Sequence, residues 1–262
     1  MPGPVVPSSL GATPAASNAA SAVTTSASIT PTVIPKSCLL VATYSRHATV
    51  AFTDTTAVAG NSLTWTKTAN VQANGGLEQL TVFEGVGTPT SGTLTITLSQ
   101  TPASGMYHIV QVQDANSATP VVQAVTGNGT ATSGSVTLAT ITNPALLLSF
   151  WGHVVNEVVT PDSSPSNWVE LGDAGTTLAR LETQYVVGNY DVTPTASWAT
   201  SSTWAGIGLE MKVSVFDAGD RGFGTYTGTA MVAHTRDDVR HQVGGTCDLP
   251  PGSDGATWSW TG

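Results

Sequence analysis

A short charged segment near the C-terminus is the strongest candidate for metal chemistry in this 262-residue chain. If residues 234–241 are helical, His234, Asp238 and His241 fall on one face of the helix. Two imidazoles and a carboxylate can bind a metal ion that keeps open coordination positions. The alternative is a charged helix or turn at the surface, and no histidine has a zinc-type spacing with a cysteine. The sequence is therefore predicted to hold no metal and no cofactor.

Acidic residues are the next candidates, because a glycoside hydrolase needs two carboxyl groups about 5–9.5 Å apart across a cleft. Several glutamates lie in alternating segments, and the pattern predicts that they face solvent: Glu78, Glu84, Glu182 and Glu210. The sequence contains no Gly-x-Ser-x-Gly elbow and no phosphate-binding glycine loop. No catalytic set emerges, so we predict that the protein is not an enzyme.

Aromatic residues near the C-terminus are candidates for contacts with a ligand or with another protein. Phe223, Tyr226, Trp258 and Trp260 are interleaved with Gly, Ser and Thr in the segment 214–262. The last two are separated by one residue, which places both side chains on one face of a strand. Indole rings arranged in this way can stack on sugar rings or bury area in an assembly contact.

The composition favours an all-β protein. Lys and Arg total 8 and Asp and Glu total 17, which gives a formal charge of −9, and only 10% of residues are charged. This scarcity of basic residues argues against binding to nucleic acid, which requires Lys and Arg at phosphates. Abundant Thr and Val, with 27 Gly and 15 Pro, are typical of strands and turns. No apolar run reaches ~18 residues, so no membrane segment is predicted.

The N-terminal residues are predicted to form an extended arm over 1–28, interrupted by four prolines. This arm is expected to be flexible or extended in isolation, and such arms often become ordered only against a partner. Its first 30 residues contain no Lys or Arg and no compact apolar stretch, so no secretory signal is predicted.

Strand patterns alternate with turn signals between residues 29 and 213. The predicted strands are 39–44, 63–71, 77–86, 93–98, 106–113, 146–153, 168–171, 178–187, 193–198 and 204–213. The order of short motifs in 29–113 recurs in 141–213, where Trp65 corresponds to Trp168. The pair Leu77 and Leu80 corresponds to Leu178 and Leu181. These matches predict an internal duplication of about five strands, closed into one jelly-roll-like antiparallel β-sandwich with a Gly-rich C-terminal extension over 214–262.

Individual residues within these strands are expected to serve the core. Trp65, Trp168 and Trp204 are predicted to be core anchors, because an indole in a strand buries a large area. Cys38 lies in an apolar run and is predicted to be buried, while a bridge to Cys247 is left open.

The strand sequences resemble a class of β-sandwich domains found in tailed-bacteriophage virion proteins and in some bacterial surface proteins. The segments that carry this resemblance are Leu39-Leu40-Val41-Ala42, Leu63-Thr64-Trp65, Leu80-Thr81-Val82-Phe83, Thr93-Leu94-Thr95-Ile96-Thr97 and Ser202-Thr203-Trp204-Ala205 followed by Leu209-Glu210. The resemblance covers roughly residues 29–213 and includes no diagnostic motif.

The resemblance implies a structural protein on the outside of a phage particle. Capsid decoration protein, head fibre or spike, and tail component are the types it implies, each assembled in the host cytoplasm through contacts with other virion proteins and with further copies of the chain. The alternative is a carbohydrate-binding or adhesin module that recognises host-surface glycans through Trp258 and Trp260.

Overall fold

The structure is a computed structural model that describes residues 7–16, 24–31, 37–53, 57–112, 119–141, 146–165, 168–187, 191–212, 246–247 and 258–259. The described regular structure is β-strand, apart from one 3-10 turn at Asn74–Gly76. Backbone contacts divide the chain into two units, Met1–Ser214 and Val215–Gly262.

The first large sheet is built from strands of the N-terminal half of the chain. Its strands are β1 (Ser8–Ala16), β3 (Ser37–Arg46), β5 (Thr64–Ala73), β6 (Glu78–Gly87) and β8 (Ser104–Val112). They pair antiparallel in the spatial order β1-β8-β3-β6-β5, so β3 lies at the centre. The central strand reads Ser-Cys-Leu-Leu-Val-Ala-Thr-Tyr and is almost completely buried, as expected for a strand with both faces covered.

A small sheet covers the outer face of this first sheet. It consists of β2 (Thr24–Ile29), β4 (Ala57–Gly60) and β7 (Gly92–Thr97), in the order β2-β7-β4. Leu94 and Ile96 of β7 pack against Leu39 and Val41 of β3 in a second hydrophobic cluster. Strict alternation in β7 produces this geometry, because its threonines point away from the cluster.

The second large sheet is built from the C-terminal half of the first unit. Its strands are β9 (Val121–Ser135), β10 (Leu146–His153), β11 (Thr160–Pro161), β12 (Val169–Gly175), β13 (Arg180–Val187) and β14 (Thr195–Met211). The order is β11-β14-β10-β13-β12, and β9 also pairs with β14. The apolar run at the start of β10 therefore occupies a central position in this sheet, between β13 and β14.

The main core lies between the two large sheets, which form a sandwich. Leu40 and Ala42 of β3 belong to one buried cluster with Leu148 and Phe150 of β10 and with Ile207 of β14. Each of these side chains alternates with one on the opposite face of its strand, so a period of two residues decides which side chains meet. The prediction of an all-β, antiparallel fold is confirmed.

The two large sheets have matching strand orders. When β1, β3, β5, β6 and β8 are set against β9, β10, β12, β13 and β14, every neighbour relation in the first sheet recurs in the second. The residue pairing also matches, since Leu40 pairs with Glu84 in the first sheet and Leu148 with Tyr185 in the second. A slip by one residue in either sheet would exchange its inner and outer faces.

The corresponding edge strands β5 and β12 also share a β-bulge. The register shifts between Lys67 and Ala69 in β5 and between Glu170 and Gly172 in β12. When the pair β5–β6 is aligned with the pair β12–β13, the two bulges fall at the same position. A bulge is a local insertion of one residue, so a common position is a specific similarity between the sheets.

Each predicted strand between 39 and 187 overlaps an observed one, but within the first unit the predictions missed five strands and split a sixth. The predicted strands 193–198 and 204–213 are parts of the single strand β14. The missed strands are β1, β2, β4, β9 and β11. In β9, Gly127-Asn128-Gly129 has the composition of a turn, yet pairing with β14 keeps it extended, because tertiary pairing outweighs local propensity.

The described parts of the N-terminal arm obtain their partners within the chain. Residues Ser8–Ala16 pair with β8, and Thr24–Ile29 pair with β7. Backbone hydrogen bonding in a sheet does not require an apolar sequence, so a stretch rich in Ser, Thr and Pro can still extend a sheet edge. These residues are therefore extended, and their pairing partners lie within the same chain.

Candidate functional site

The predicted aromatic contact residues lie in the second unit, and little of that unit is described. Trp258 is in β16 (Trp258–Ser259), which pairs antiparallel with β15 (Thr246–Cys247). Phe223, Tyr226 and Trp260 lie outside the described residues, as do the metal candidates His234, Asp238 and His241. Their roles remain predictions.

The prediction that the strand glutamates face solvent is wrong for three of the four. Glu78 and Glu182 have no exposed surface, and Glu210 is 5% exposed, while Glu84 is half-buried. Glu182 and Glu210 are buried because the outer face of the second sheet is covered as well as its inner face. Glu78 is buried because it lies on the inner face of the first sheet, between the two sheets. The buried polar side chains of the sandwich are therefore the residues whose chemistry must be explained.

A buried glutamate accepts hydrogen bonds from a tyrosine of its own sheet and from a threonine of the other, and so links the two large sheets. The Tyr44 hydroxyl donates a hydrogen bond of 3.0 Å to Glu78 Oε2, and the Thr203 hydroxyl of the second sheet donates to Glu78 Oε1. Burial, and then the neighbouring Glu78 carboxylate, raise the pKa of Tyr44 well above its usual range. The tyrosine thus stays protonated and serves as a donor, which satisfies a carboxylate that would otherwise be costly to bury.

The ring of Tyr44 also fills the space above a glycine of the opposite sheet. A Cβ atom at Gly152 would lie 2.2 Å from Tyr44 Cδ2, so no larger residue fits there. When β3 and its partner β6 are aligned with β10 and its partner β13, Tyr44 and Gly152 occupy corresponding positions. One position therefore carries the bulky ring and its counterpart leaves the room for it.

A histidine and a threonine form a second polar link between the sheets. His108 Nδ1 lies 2.7 Å from Thr183 Oγ1, and both side chains are fully buried. The imidazole also lies against Gly172, where a Cβ atom would come within 2.4 Å of the ring. Desolvation lowers the pKa of His108 to about 4. The side chain is therefore neutral at physiological pH and has a structural environment.

This link makes the folded state sensitive to acid. The folded pKa of His108 lies below that of an unfolded chain, about 6.5, so stability is complete above pH 6.5 and falls as the pH drops toward 4. The corresponding residues of the other sheets are Ile207 and Val82, and both are buried in the main core. We expect the double variant His108→Ile with Thr183→Val to fold. Between pH 7 and pH 5 its free energy of unfolding should fall by about 2 kcal/mol less than that of the parent.

Urea unfolding at the two pH values measures this difference. The single variant Thr183→Val is the control, because it keeps the histidine and should keep the acid sensitivity. Equal pH dependence in the parent and in the double variant would contradict the assignment to His108.

Polar side chains on the outer faces of the two large sheets occupy corresponding positions. In the first sheet, Gln79 Nε2 and Thr81 Oγ1 each donate a 2.7 Å hydrogen bond to Asn70 Oδ1. The residues that correspond to Asn70, Gln79 and Thr81 by strand pairing are Asp173, Arg180 and Glu182. In both sheets an acceptor on the edge strand thus faces a donor on the adjacent strand.

The second of these networks contains the least satisfied group of the described residues. Arg180 donates two 2.6 Å hydrogen bonds to the Asp173 carboxylate. Glu182 is fully buried beside them, and neither of its carboxyl oxygens has a hydrogen-bond partner among the described residues. Burial, and then the nearby charges of Asp173 and Glu170, raise the pKa of Glu182 well above its usual range.

The tryptophans of the second sheet act as core residues. Trp168 is 5% exposed and donates from Nε1 to Asp191 Oδ2 at 2.9 Å, and Trp204 is 8% exposed beside Trp151, with 5.9 Å between ring centroids. The prediction that they are core anchors is confirmed, whereas Trp65 is only half-buried.

Cys38 is a free, buried thiol whose pKa is raised by burial.

Sequence reasoning missed all of these polar links. His108 and Thr183 are separated by 75 positions, and Tyr44 and Glu78 by 34. The predicted repeat gave a usable signal for the outer-face networks alone, because it aligns Gln79 and Thr81 with Arg180 and Glu182. The residues that correspond to His108 and Thr183 are apolar. No metal-ligand spacing or nucleophile motif marks any of them.

The described residues define an antiparallel β-sandwich whose buried polar groups join strands and sheets. Within these residues, no group of three or more His, Cys, Asp or Glu side chains is placed to hold a metal ion, and no helix has the length and apolarity to cross a membrane. Comparisons of the chain with protein-family models, with curated proteins and with solved structures found no match.

Proposed function

We propose that this protein is a non-enzymatic structural component that acts through protein–protein assembly contacts. The observation that carries the proposal is the use of most of its buried polar side chains. Tyr44 and Glu78 bond to each other and Glu78 to the second sheet, and Arg180 bonds to Asp173 within the second sheet. Such networks fix one arrangement of the strands, which suits a subunit that must keep its shape in an assembly.

The proposed place of assembly is the exterior of a tailed-bacteriophage particle, as a capsid decoration protein, head fibre or tail component. The sequence resemblance over residues 29–213 supports this location, and so does the sandwich fold. Scarce charge also supports it, because only 10% of residues are charged and large uncharged surfaces are suited to contacts between subunits.

Purified particles of the phage that encodes the chain provide the direct test. We expect mass spectrometry to detect the protein at a fixed number of copies per particle and immunogold labelling to place it on the outside. Washing with high salt is the control for adventitious adsorption. Absence from purified particles would rule out the proposed location, and binding of the protein to a glycan array would support the adhesin alternative instead.

We also propose that the two large sheets arose by internal duplication of a five-strand unit. Matching strand order, matching residue pairing and a common bulge support this origin. Aligning the strand pairs of the first sheet with those of the second sets Trp65 against Trp168. The sequence repeat gives the same match. The polar pairs on the outer faces agree with the same alignment.

The duplicated unit differs from a jelly roll in one respect. In the observed topology each large sheet draws all of its strands from one half of the first unit, which supports two whole copies packed on one another. The proposal is accordingly a two-copy sandwich. In this arrangement β5 lies beside β9 and β1 beside β12, as expected if a two-fold operation relates the copies.

A further inference from the structure

The edges of the large sheets carry features that discourage pairing with other molecules. Strand β5 contains Lys67 and a bulge, and β12 contains Glu170, Asp173 and a bulge. Strand β1 contains Pro14 and two register shifts. Charges, prolines and bulges are the devices by which native proteins protect sheet edges. The edges also cover one another in pairs, β1 with β12 and β5 with β9.

The β2 edge of the small sheet has none of these features. Its sequence Thr-Thr-Ser-Ala-Ser-Ile contains no charge and no proline, and its pairing with β7 runs without a register shift over all six residues. No described strand pairs with its outer side. By contrast, the opposite edge strand β4 has four residues, and the Gly60 carbonyl at its end accepts a hydrogen bond from Trp65 Nε1.

The two faces of β2 suit pairing with an identical strand. Thr24, Ser26 and Ser28 are exposed, while Ala27 and Ile29 are buried against the first sheet. If two copies pair antiparallel about an axis perpendicular to the sheet, hydroxyl side chains meet on the outer face and the apolar layer continues beneath. A strand without charge offers no complement to a charged peptide, whereas it is complementary to itself.

We propose that β2 is an assembly edge at which a second copy of this chain adds its own β2 antiparallel. The product is a continuous six-stranded sheet in the order β4-β7-β2-β2-β7-β4. This inference deepens the proposed assembly function by naming the contact and the partner.

The variant Ser26→Lys tests this contact in the full chain. It places a cation from each copy near the two-fold axis, where like charges on opposed strands repel. We expect sedimentation velocity to show a dimer for the parent and at least a tenfold weaker dimer for the variant at about 0.1 M salt, with partial recovery at about 1 M salt. The matched control is Thr93→Lys, on the same exposed face but on the central strand β7. Its two copies would lie at least about 14 Å apart, beyond the Debye length of about 10 Å at 0.1 M salt.

Hydrogen exchange on the parent protein gives a second reading that does not depend on a variant. We expect amides of β2 to become protected as the protein concentration rises through the dimer range, while amides of β7 stay protected throughout. A parent that is monomeric at all concentrations overturns the proposal, and so does a dimer that Ser26→Lys leaves intact. A dimer through β2 in a protein absent from phage particles would refute the proposed location and leave this contact standing.

Discussion

Replacing Gly152 with alanine is expected to destabilise the protein by about 3 kcal/mol or more. The added Cβ would lie 2.2 Å from a ring atom of Tyr44, and that ring is fully buried and held by its hydrogen bond to Glu78. A clash with a rigid aromatic ring in a packed core forces backbone or ring displacement, and overpacking of this kind typically costs 1–3 kcal/mol or more. Urea unfolding of the variant and the parent at one pH measures the loss.

Shortening the tyrosine provides the control. In the double variant Gly152→Ala with Tyr44→Leu, the clash is removed, so the alanine should cost far less than it does in the parent background. A loss of the same size in both backgrounds would contradict a clash with Tyr44 as the cause, because the double-mutant cycle isolates the interaction of these two positions.

An exchange of side chains extends this result to the proposed duplication. If Tyr44 and Gly152 are corresponding positions on a two-fold axis, the ring can be supplied from either side. We expect Tyr44→Gly combined with Gly152→Phe to recover more than half of the stability that Gly152→Phe alone loses. Additive losses in the double variant would argue that the two positions are not interchangeable, and hence against the two-fold relation.

Replacing Glu182 with threonine is expected to stabilise the protein, by about 3 kcal/mol at pH 8. The carboxyl group of Glu182 is fully buried, has no partner among the described residues and lies near Asp173 and Glu170. Burial of an unpaired acid is costly, and threonine is the residue that the first sheet carries at the corresponding position, Thr81.

The pH dependence identifies the carboxyl group as the source of the gain. The folded pKa of Glu182 is raised, so above pH ~4.5 the unfolded chain releases a proton that the folded chain retains. The stability of the parent relative to the variant therefore falls with rising pH, by up to about 1.4 kcal/mol per unit, until the folded pKa is reached. We expect a small gain at pH 5 and the full gain at pH 8, measured by urea unfolding.

The reciprocal change Thr81→Glu in the first sheet is the matched control for this experiment. It places a carboxyl group at the corresponding buried position and should destabilise the protein increasingly as the pH rises. A pH-independent gain in Glu182→Thr would show that packing, and not the charge, is responsible.

The repeat made part of the polar architecture predictable from the sequence. It aligned Trp65 with Trp168, and this one match sets each residue of β5 against a residue of β12, because neither strand can be shifted along the other without losing it. Asn70 is matched with Asp173 in this way. It did not predict that Glu182 is buried, since alternation assigns a face of the strand and says nothing about what covers that face. The long strand β9 was hidden for a related reason, because its glycines have turn composition and only pairing with β14 keeps them extended.

By itself, the sequence determined the all-β fold class and most of the strands of the first unit, since composition and a period of two residues are local properties of the chain. The correspondence between the two halves that it predicted is part of the proposal. The tertiary structure decided which faces of the strands are covered, and so turned predicted solvent-facing glutamates such as Glu78 into buried links between sheets. It also decided which edges are shielded, and among the described strands it left the outer side of β2 unpaired. Burial and edge protection depend on contacts between distant segments, which local pattern cannot specify.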